Sequence, residues 1–207
     1  TTGSVFSVSC GCINGPALSL SSNIGSTCGT TPLTISGNTY GGSATNVTIT
    51  ENGAGTINPS SASTSPFAFT YTPAATDAGK SIVITITTDN PLGTPCAAAA
   101  ATFTLTVNAV PAMPTAGAIT QPTCALATGS VTMNSLPGVG SWILTRTPAG
   151  VTSTGSGTST IISGLDPGTY SFIITDNSGC TSASSANVII SALPGALTSP
   201  IVSAIIQ

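Results

Sequence analysis

General acid–base chemistry needs titratable side chains that converge, and this sequence of 207 residues supplies few of them. The acids are Glu51, Asp77, Asp89, Asp166 and Asp176, the only cations are Lys80 and Arg146, and histidine is absent. Each acid lies in or beside a predicted turn, where a carboxylate ordinarily caps backbone N–H groups or faces solvent. A serine activated by histidine cannot be built, and neither a G-x-S-x-G elbow nor a phosphate-cradling loop is present. Glycoside hydrolysis would need two carboxylates brought together by the fold, which no spacing here suggests. Calcium held between extracellular β-repeats requires clustered acids. The nearest approach is Asp176-Asn177, which reads as an ordinary turn. The expectation is no catalytic residue, no metal site and no cofactor.

The remaining reactive residues are six cysteines: Cys10, Cys12, Cys28, Cys96, Cys124 and Cys180. Without histidine or a C-x-x-C pair, zinc is a poor reading and oxidised pairs are the natural one. Disulfides imply an oxidising compartment outside the cytoplasm. Charged residues are only 3% of the chain and the formal net charge is -3, so the surface must be rich in hydroxyls and nearly field-free. Such a chain cannot condense onto nucleic acid or an anionic membrane surface. With 40% hydrophobic residues and a mean hydropathy of +0.45, it is too apolar for disorder. Residues 188–207 are apolar, but Pro194, Gly195 and Pro200 interrupt them, which argues against membrane insertion. Opening on Thr1 with no signal segment, the sequence reads as a processed protein or an excised fragment.

Apolar residues recur with period two, as strands require. Phe103, Leu105 and Val107 alternate with threonines, Ile82, Ile84 and Ile86 repeat the pattern, and so do Phe67, Phe69 and Tyr71, and Tyr170, Phe172 and Ile174. Threonine, valine and isoleucine favour the same state by propensity, and no segment offers a credible helix. Strands are expected near 33–36, 45–50, 67–71, 81–88, 99–107, 117–121, 129–134, 140–147, 158–163, 168–176 and 186–192, separated by Asn-Gly, Asp-Pro-Gly and similar turns. Short strands at this spacing make a sandwich or barrel. The best boundary is NAVPAMP at 108–114, with two prolines after a strong strand. The resulting architecture is all-β, with two tandem immunoglobulin-like β-sandwiches over residues 1–108 and 109–193. Residues 194–207 form a linker and a strand that opens a following repeat or is donated to a neighbouring domain. The motif AITQ at 118–121 returns as AIIQ at 204–207, one domain length later.

These boundaries suggest disulfides Cys28–Cys96 and Cys124–Cys180, one in each sandwich, with Cys10–Cys12 bonded locally or to a neighbour. Trp142 and Tyr170 could stack on a ligand, but both lie on alternating strands where core packing is the default. Tyr170, after the turn LDPG, is placed to form a tyrosine corner.

In the second domain PTC at 122–124, GSVT at 129–132 and above all GLDPGTYSFIITDNSGC at 164–180 resemble the SprB-like repeat of gliding-motility-type adhesins and related surface proteins of Bacteroidota. The match covers about a third of the chain and departs at SWILTRTPAG, residues 141–150. In the first domain STCGTTPLTISG at 26–37, GAGT at 53–56 and YTPAATDAGKSIVITITTDNP at 71–91, followed by Pro95-Cys96, resemble the immunoglobulin-like repeats that accompany those units. The resemblance implies export, through type IX secretion, to the cell surface.

Function is therefore expected to be structural and adhesive: a non-catalytic repeat module of an extracellular bacterial surface filament. The alternative is a carbohydrate-binding or spacer module of a larger secreted enzyme. Expected partners are neighbouring repeats or identical subunits joined by strand pairing, together with a surface or glycan target. Ile201, Val202, Ala204, Ile205 and Ile206 are the expected assembly residues, because an uncharged apolar strand needs a partner, and the run at 5–10 offers a complementary edge.

Overall fold

The computed structural model describes residues 11–193. Cys10, the run at 5–10 and the assembly residues Ile201, Val202, Ala204, Ile205 and Ile206 lie outside them. Two compact units divide at Val110/Pro111, inside the proline-containing stretch that follows the strongest strand of the first half.

The first unit contains β1 (Ala17–Ser19), β2 (Ile24–Cys28), β3 (Leu33–Gly41), β4 (Val47–Glu51), β5 (Thr56–Asn58), β6 (Ser61–Ala62), β7 (Phe67–Thr72), β8 (Lys80–Thr88) and β9 (Ala100–Asn108). They form two sheets, ordered β1-β3-β7-β5 and β2-β9-β8-β4-β6. The first strand switches sheets: β1 pairs antiparallel with β3, while β2 runs parallel to β9. Alternation decides which side chains face inward. Ile35, Phe67, Phe69 and Tyr71 from one sheet meet Val47, Ile49, Ile82, Ile84, Ile86, Phe103, Leu105 and Val107 from the other in one buried cluster. Each large side chain buried this way contributes about 1.5–3 kcal/mol. The intervening threonines stay on the outer faces.

The second unit contains β10 (Thr115–Thr120), β11 (Gly129–Asn134), β12 (Ser141–Thr147), β13 (Val151–Ser156), β14 (Thr160–Leu165), β15 (Gly168–Asp176) and β16 (Val188–Ile190). Three strands, β10-β11-β14, face four, β13-β12-β15-β16, over a core of Val131, Met133, Trp142, Leu144, Leu165, Tyr170, Phe172, Ile174, Val188 and Ile190. In both units the chain crosses between two face-to-face sheets, so that strands distant in sequence pair within a sheet, the immunoglobulin-like arrangement. Trp142 and Tyr170 are core residues. The Tyr170 hydroxyl donates to the Asp166 carbonyl at 2.8 Å, closing the tyrosine corner. Trp142 Nε1 donates to the Gly157 carbonyl at 2.9 Å. The only helical element among the described residues is the 3-10 turn Ala75–Asp77.

The expected cysteine pairing is wrong. Cys96 bonds Cys12, across a sequence separation of 84 and with the Cα atoms 4.9 Å apart, so a local Cys10–Cys12 ring is excluded as well. Cys28 and Cys180 are disulfide-bonded cysteines, whereas Cys124 is a free, exposed thiol, which rules out Cys124–Cys180. Strand geometry explains both errors. Cys28 lies opposite Asn108, at the end of β9, while Cys96 precedes the start of that strand. Nine residues of strand span roughly 27 Å, far beyond the ~7 Å Cα limit of a disulfide. Likewise Cys180 follows the end of β15, whereas Gln121, near Cys124, bonds Ile189 and Ser191 beside the start of β15.

The Cys12–Cys96 link fastens the segment before β1 to the β8–β9 loop, and a closed loop of this size is worth about 4.5 kcal/mol in the chain-entropy model, less any native strain. Nonreducing peptide mapping should recover Cys12 joined to Cys96, and Cys12→Ser should lower the stability of the first unit by about 2–4 kcal/mol in denaturant melts. Recovery of a Cys28–Cys96 peptide would contradict the strand register.

Candidate functional site

The charged side chains do not gather at one site: Asp77 and Lys80 border one depression, whereas Asp89 and Asp176 lie elsewhere and Arg146 is on β12. The carboxylates of Glu51, Asp77, Asp89 and Asp176 each accept from backbone N–H groups. The Asp89 carboxylate accepts from Thr45 N–H at 2.8 Å, Thr45 Oγ1 at 2.5 Å, Asn46 N–H at 3.2 Å and Asn46 Nδ2 at 3.2 Å. The Thr45 hydroxyl and these N–H groups hold its carboxyl below the ordinary aspartate value despite some opposing desolvation. Asp176 Oδ1 accepts from Ser178 and Cys180 N–H groups, each at 2.9 Å, and Glu51 accepts from Gly53 N–H. Glu51 and Asp176 cap their own turns as expected, whereas Asp89 holds a loop 44 residues earlier in the chain. Arg146, on β12, stacks over the Tyr170 ring with its guanidinium carbon 5.2 Å from the centroid. No group of three or more His, Cys, Asp or Glu residues among the described residues could hold a metal ion.

Asp77 is the most organised of the acids. It is buried at 1% exposure in the 3-10 turn between β7 and β8. Oδ1 accepts from Ala54 N–H at 2.9 Å, and Oδ2 accepts from the Tyr71 hydroxyl at 2.8 Å and Ala74 N–H at 3.0 Å. The Tyr71 oxygen in turn accepts from Gly55 N–H at 3.0 Å. Glycine is required at position 55 because a Cβ there would lie 2.6 Å from that oxygen. Burial alone would raise the Asp77 pKa, but the donors Ala54, Tyr71 and Ala74, with Lys80 nearby, outweigh it and leave the carboxyl below its usual value. Burial, with the Asp77 hydrogen bond and charge, pushes the Tyr71 hydroxyl up to about 12. Beside the cluster lies an open depression of about 530 Å³ lined by Asn52, Ala54, Asp77, Lys80, Ser81 and Ile82. Three donors hold the Asp77 carboxylate, so the cluster ties the β4–β5 loop and β7 to the β7–β8 turn. In the sequence the sign of this lock was the spacing of Tyr71 and Asp77 with a G-A-G stretch upstream, and neither residue was expected to face the other.

A stacking platform for sugars is absent among the described residues. Phe67, Phe69, Tyr71, Phe103, Trp142, Tyr170 and Phe172 are buried, and Tyr40 packs against the first core with its ring 6.1 Å from Phe67.

No family model and no curated protein matches the chain. Among solved structures it is similar to the FN1–FN3 domains of chicken CNTN1, at 14% identity over 87% of this chain and with a TM-score of 0.46. The chain spans 66% of the length of that one. A chimeric titin Z1Z2 carrying an exogenous decorin peptide aligns at 17% identity, over 88% of this chain and 98% of that one, with a TM-score of 0.35. The YadV chaperone aligns at 8% identity, over 85% and 100%, with a TM-score of 0.34.

Linkage gives the Asp77 lock a two-sided pH window. A depressed carboxyl pKa adds stability that is present above the unfolded value of 3.8 and lost as pH falls through the folded one. A raised tyrosine pKa adds stability that is present below 10.0 and lost as pH rises toward about 12. Asp77→Asn should make the acid arm of first-unit stability shallower, leaving the part that Asp89 contributes, and cost about 1–3 kcal/mol at neutral pH, and Tyr71→Phe should make the alkaline arm shallower at a similar cost. Denaturant melts between pH 2 and pH 11 test both, and unchanged arms would show that the lock is not what titrates.

Proposed function

We propose that the chain is a non-catalytic structural and adhesive module of an extracellular bacterial surface fibre, whose contribution is length, toughness and display. The observation that carries this reading is how the functional groups are used. The carboxylates of Glu51, Asp77, Asp89 and Asp176 close turns, and seven aromatic side chains fill cores. The outer faces of the strands carry many threonines and serines, among which apolar residues such as Ile24 and Ile161 are exposed.

Disulfide-bonded cysteines fit an oxidising compartment, and no helix of the described residues is long and apolar enough to cross a membrane. The resemblance of residues 122–132 and 164–180 to SprB-like repeats supports cell-surface display in Bacteroidota through type IX secretion. Strand pairing through Ile201–Ile206 with a following repeat or an identical subunit would extend the fibre.

Immunogold labelling of intact, unpermeabilised cells with antibody against residues 11–193 should decorate thin surface fibres. Labelling confined to the cytoplasm would refute the reading. Because so little charge is exposed, retention of the purified protein on a solid surface should change less than about twofold between low and high salt.

A further inference from the structure

An exposed strand edge displays unpaired N–H and C=O groups, and proteins guard such edges with shortness, bulges, proline, charge or side-chain clasps. Nearly every edge here is guarded. In the first unit β1 and β5 have three residues each and β6 has two. Ser22 Oγ clasps the N–H and the carbonyl of Ile24 at the start of β2. In the second unit β10 is broken by a register shift between Ala116 and Ile119. The β14 pairing also shifts, with Gly164 at φ +69. Gln121 clasps β16, donating to the Ile189 carbonyl at 3.1 Å and accepting from Ser191 N–H at 2.8 Å.

The exception is β13. It pairs with β12 in unbroken register from Ser141↔Ser156 to Arg146↔Val151 and is the last strand of its sheet. Its sequence, VTSTGS, contains neither proline nor charge, and no other described segment bonds its outer edge. We propose that this edge is a homotypic interface: β13 of one molecule pairs antiparallel with β13 of a second copy, joining two four-stranded sheets into one.

Self-complementarity selects a second copy as the occupant. A two-fold axis through Ser153 keeps each side chain on its own face of the sheet. On the outer face Thr152 then lies opposite the second copy's Thr154, twice over, and such threonine pairs stabilise antiparallel sheets. On the inner face Val151, 48% exposed, lies opposite Gly155. Gly155 has no room for a Cβ, which would come 2.6 Å from Trp142 Cη2, so the second copy's Val151 would meet no competing side chain there and would lie against the glycine backbone beside that ring. Neither strand carries a charge to repel the other. The pairing consumes the edge and closes at two molecules. It is independent of the fibre reading and of residues 201–206.

The test uses the full chain with Cys124→Ser, which removes the exposed free thiol. Sedimentation equilibrium from micromolar to millimolar concentration should show a monomer–dimer equilibrium. Thr152→Lys/Thr154→Lys places like charges opposite each other and should weaken the dimer about tenfold or more, as should Thr152→Glu/Thr154→Glu, while an equimolar mixture of the two should restore it. Both sites are exposed, so near-ultraviolet circular dichroism should be unchanged. Under mild oxidation Ser153→Cys should form a covalent dimer, since directly opposed Cα atoms lie about 4.5–5.5 Å apart, and Ser156→Cys should not. A chain that stays monomeric at millimolar concentration overturns the proposal. So does a dimer indifferent to the lysine pair, or one that the mixture fails to restore.

Discussion

Every buried backbone donor and acceptor must find a partner, and this chain meets that demand with almost no charge. Seven charged side chains in 207 residues cannot hold a surface together by ion pairs. Sheet hydrogen bonds carry the interior, and wherever a ladder stops, a short polar side chain takes over. Along β15, where β16 has not begun, Ser182 and Ser185 hydroxyls accept from the N–H groups of Ile174 and Phe172, each at 3.0 Å. Asp77, Asp89 and Asp176 do the same for turns. Each such closure is modest alone, but an unpaired buried group costs about 1–3 kcal/mol, so the scarce polar side chains are committed to architecture before any could serve chemistry.

The strongly alternating strands were legible because burial on one face writes period two directly into the sequence. All eleven expected strands are present, within a few residues at their ends. The strands that were missed, β1, β2, β5, β6 and β13, share a cause. They are edges, short or small-residue, and bury little of their own. In β13 the inward positions are Val151, Ser153 and Gly155, and at Gly155 Trp142 from the neighbouring strand occupies the space a side chain would have filled. A strand whose core contribution is made by its neighbour carries no hydrophobic period of its own.

The cysteines failed for a different reason. Assigning one bridge to each domain treats pairing as a matter of sequence order, whereas a disulfide is decided by which end of a sandwich each thiol occupies. Cys28 and Cys96 both flank β9 but at opposite ends, and that fact needs the parallel β2–β9 register, which nothing in the alternation pattern encodes. The tyrosine corner was readable for the converse reason. Tyr170 and its acceptor Asp166 belong to one local turn, so no long-range register had to be known.

The same scarcity of charge changes how such a protein can avoid association. Lysine or glutamate on an edge strand repels a second strand at a distance, but a chain with 3% charged residues must discourage pairing at contact, by breaking register or occupying backbone groups. The bulges in β10 and β14 and the Gln121 clasp on β16 are devices of this kind. Geometric guards act only where they are built, whereas a charged surface acts everywhere. An edge left regular, such as β13, therefore stands bare, with no background repulsion to protect it, and selection against unwanted pairing would have needed only one bulge or one proline between Val151 and Ser156 to close it.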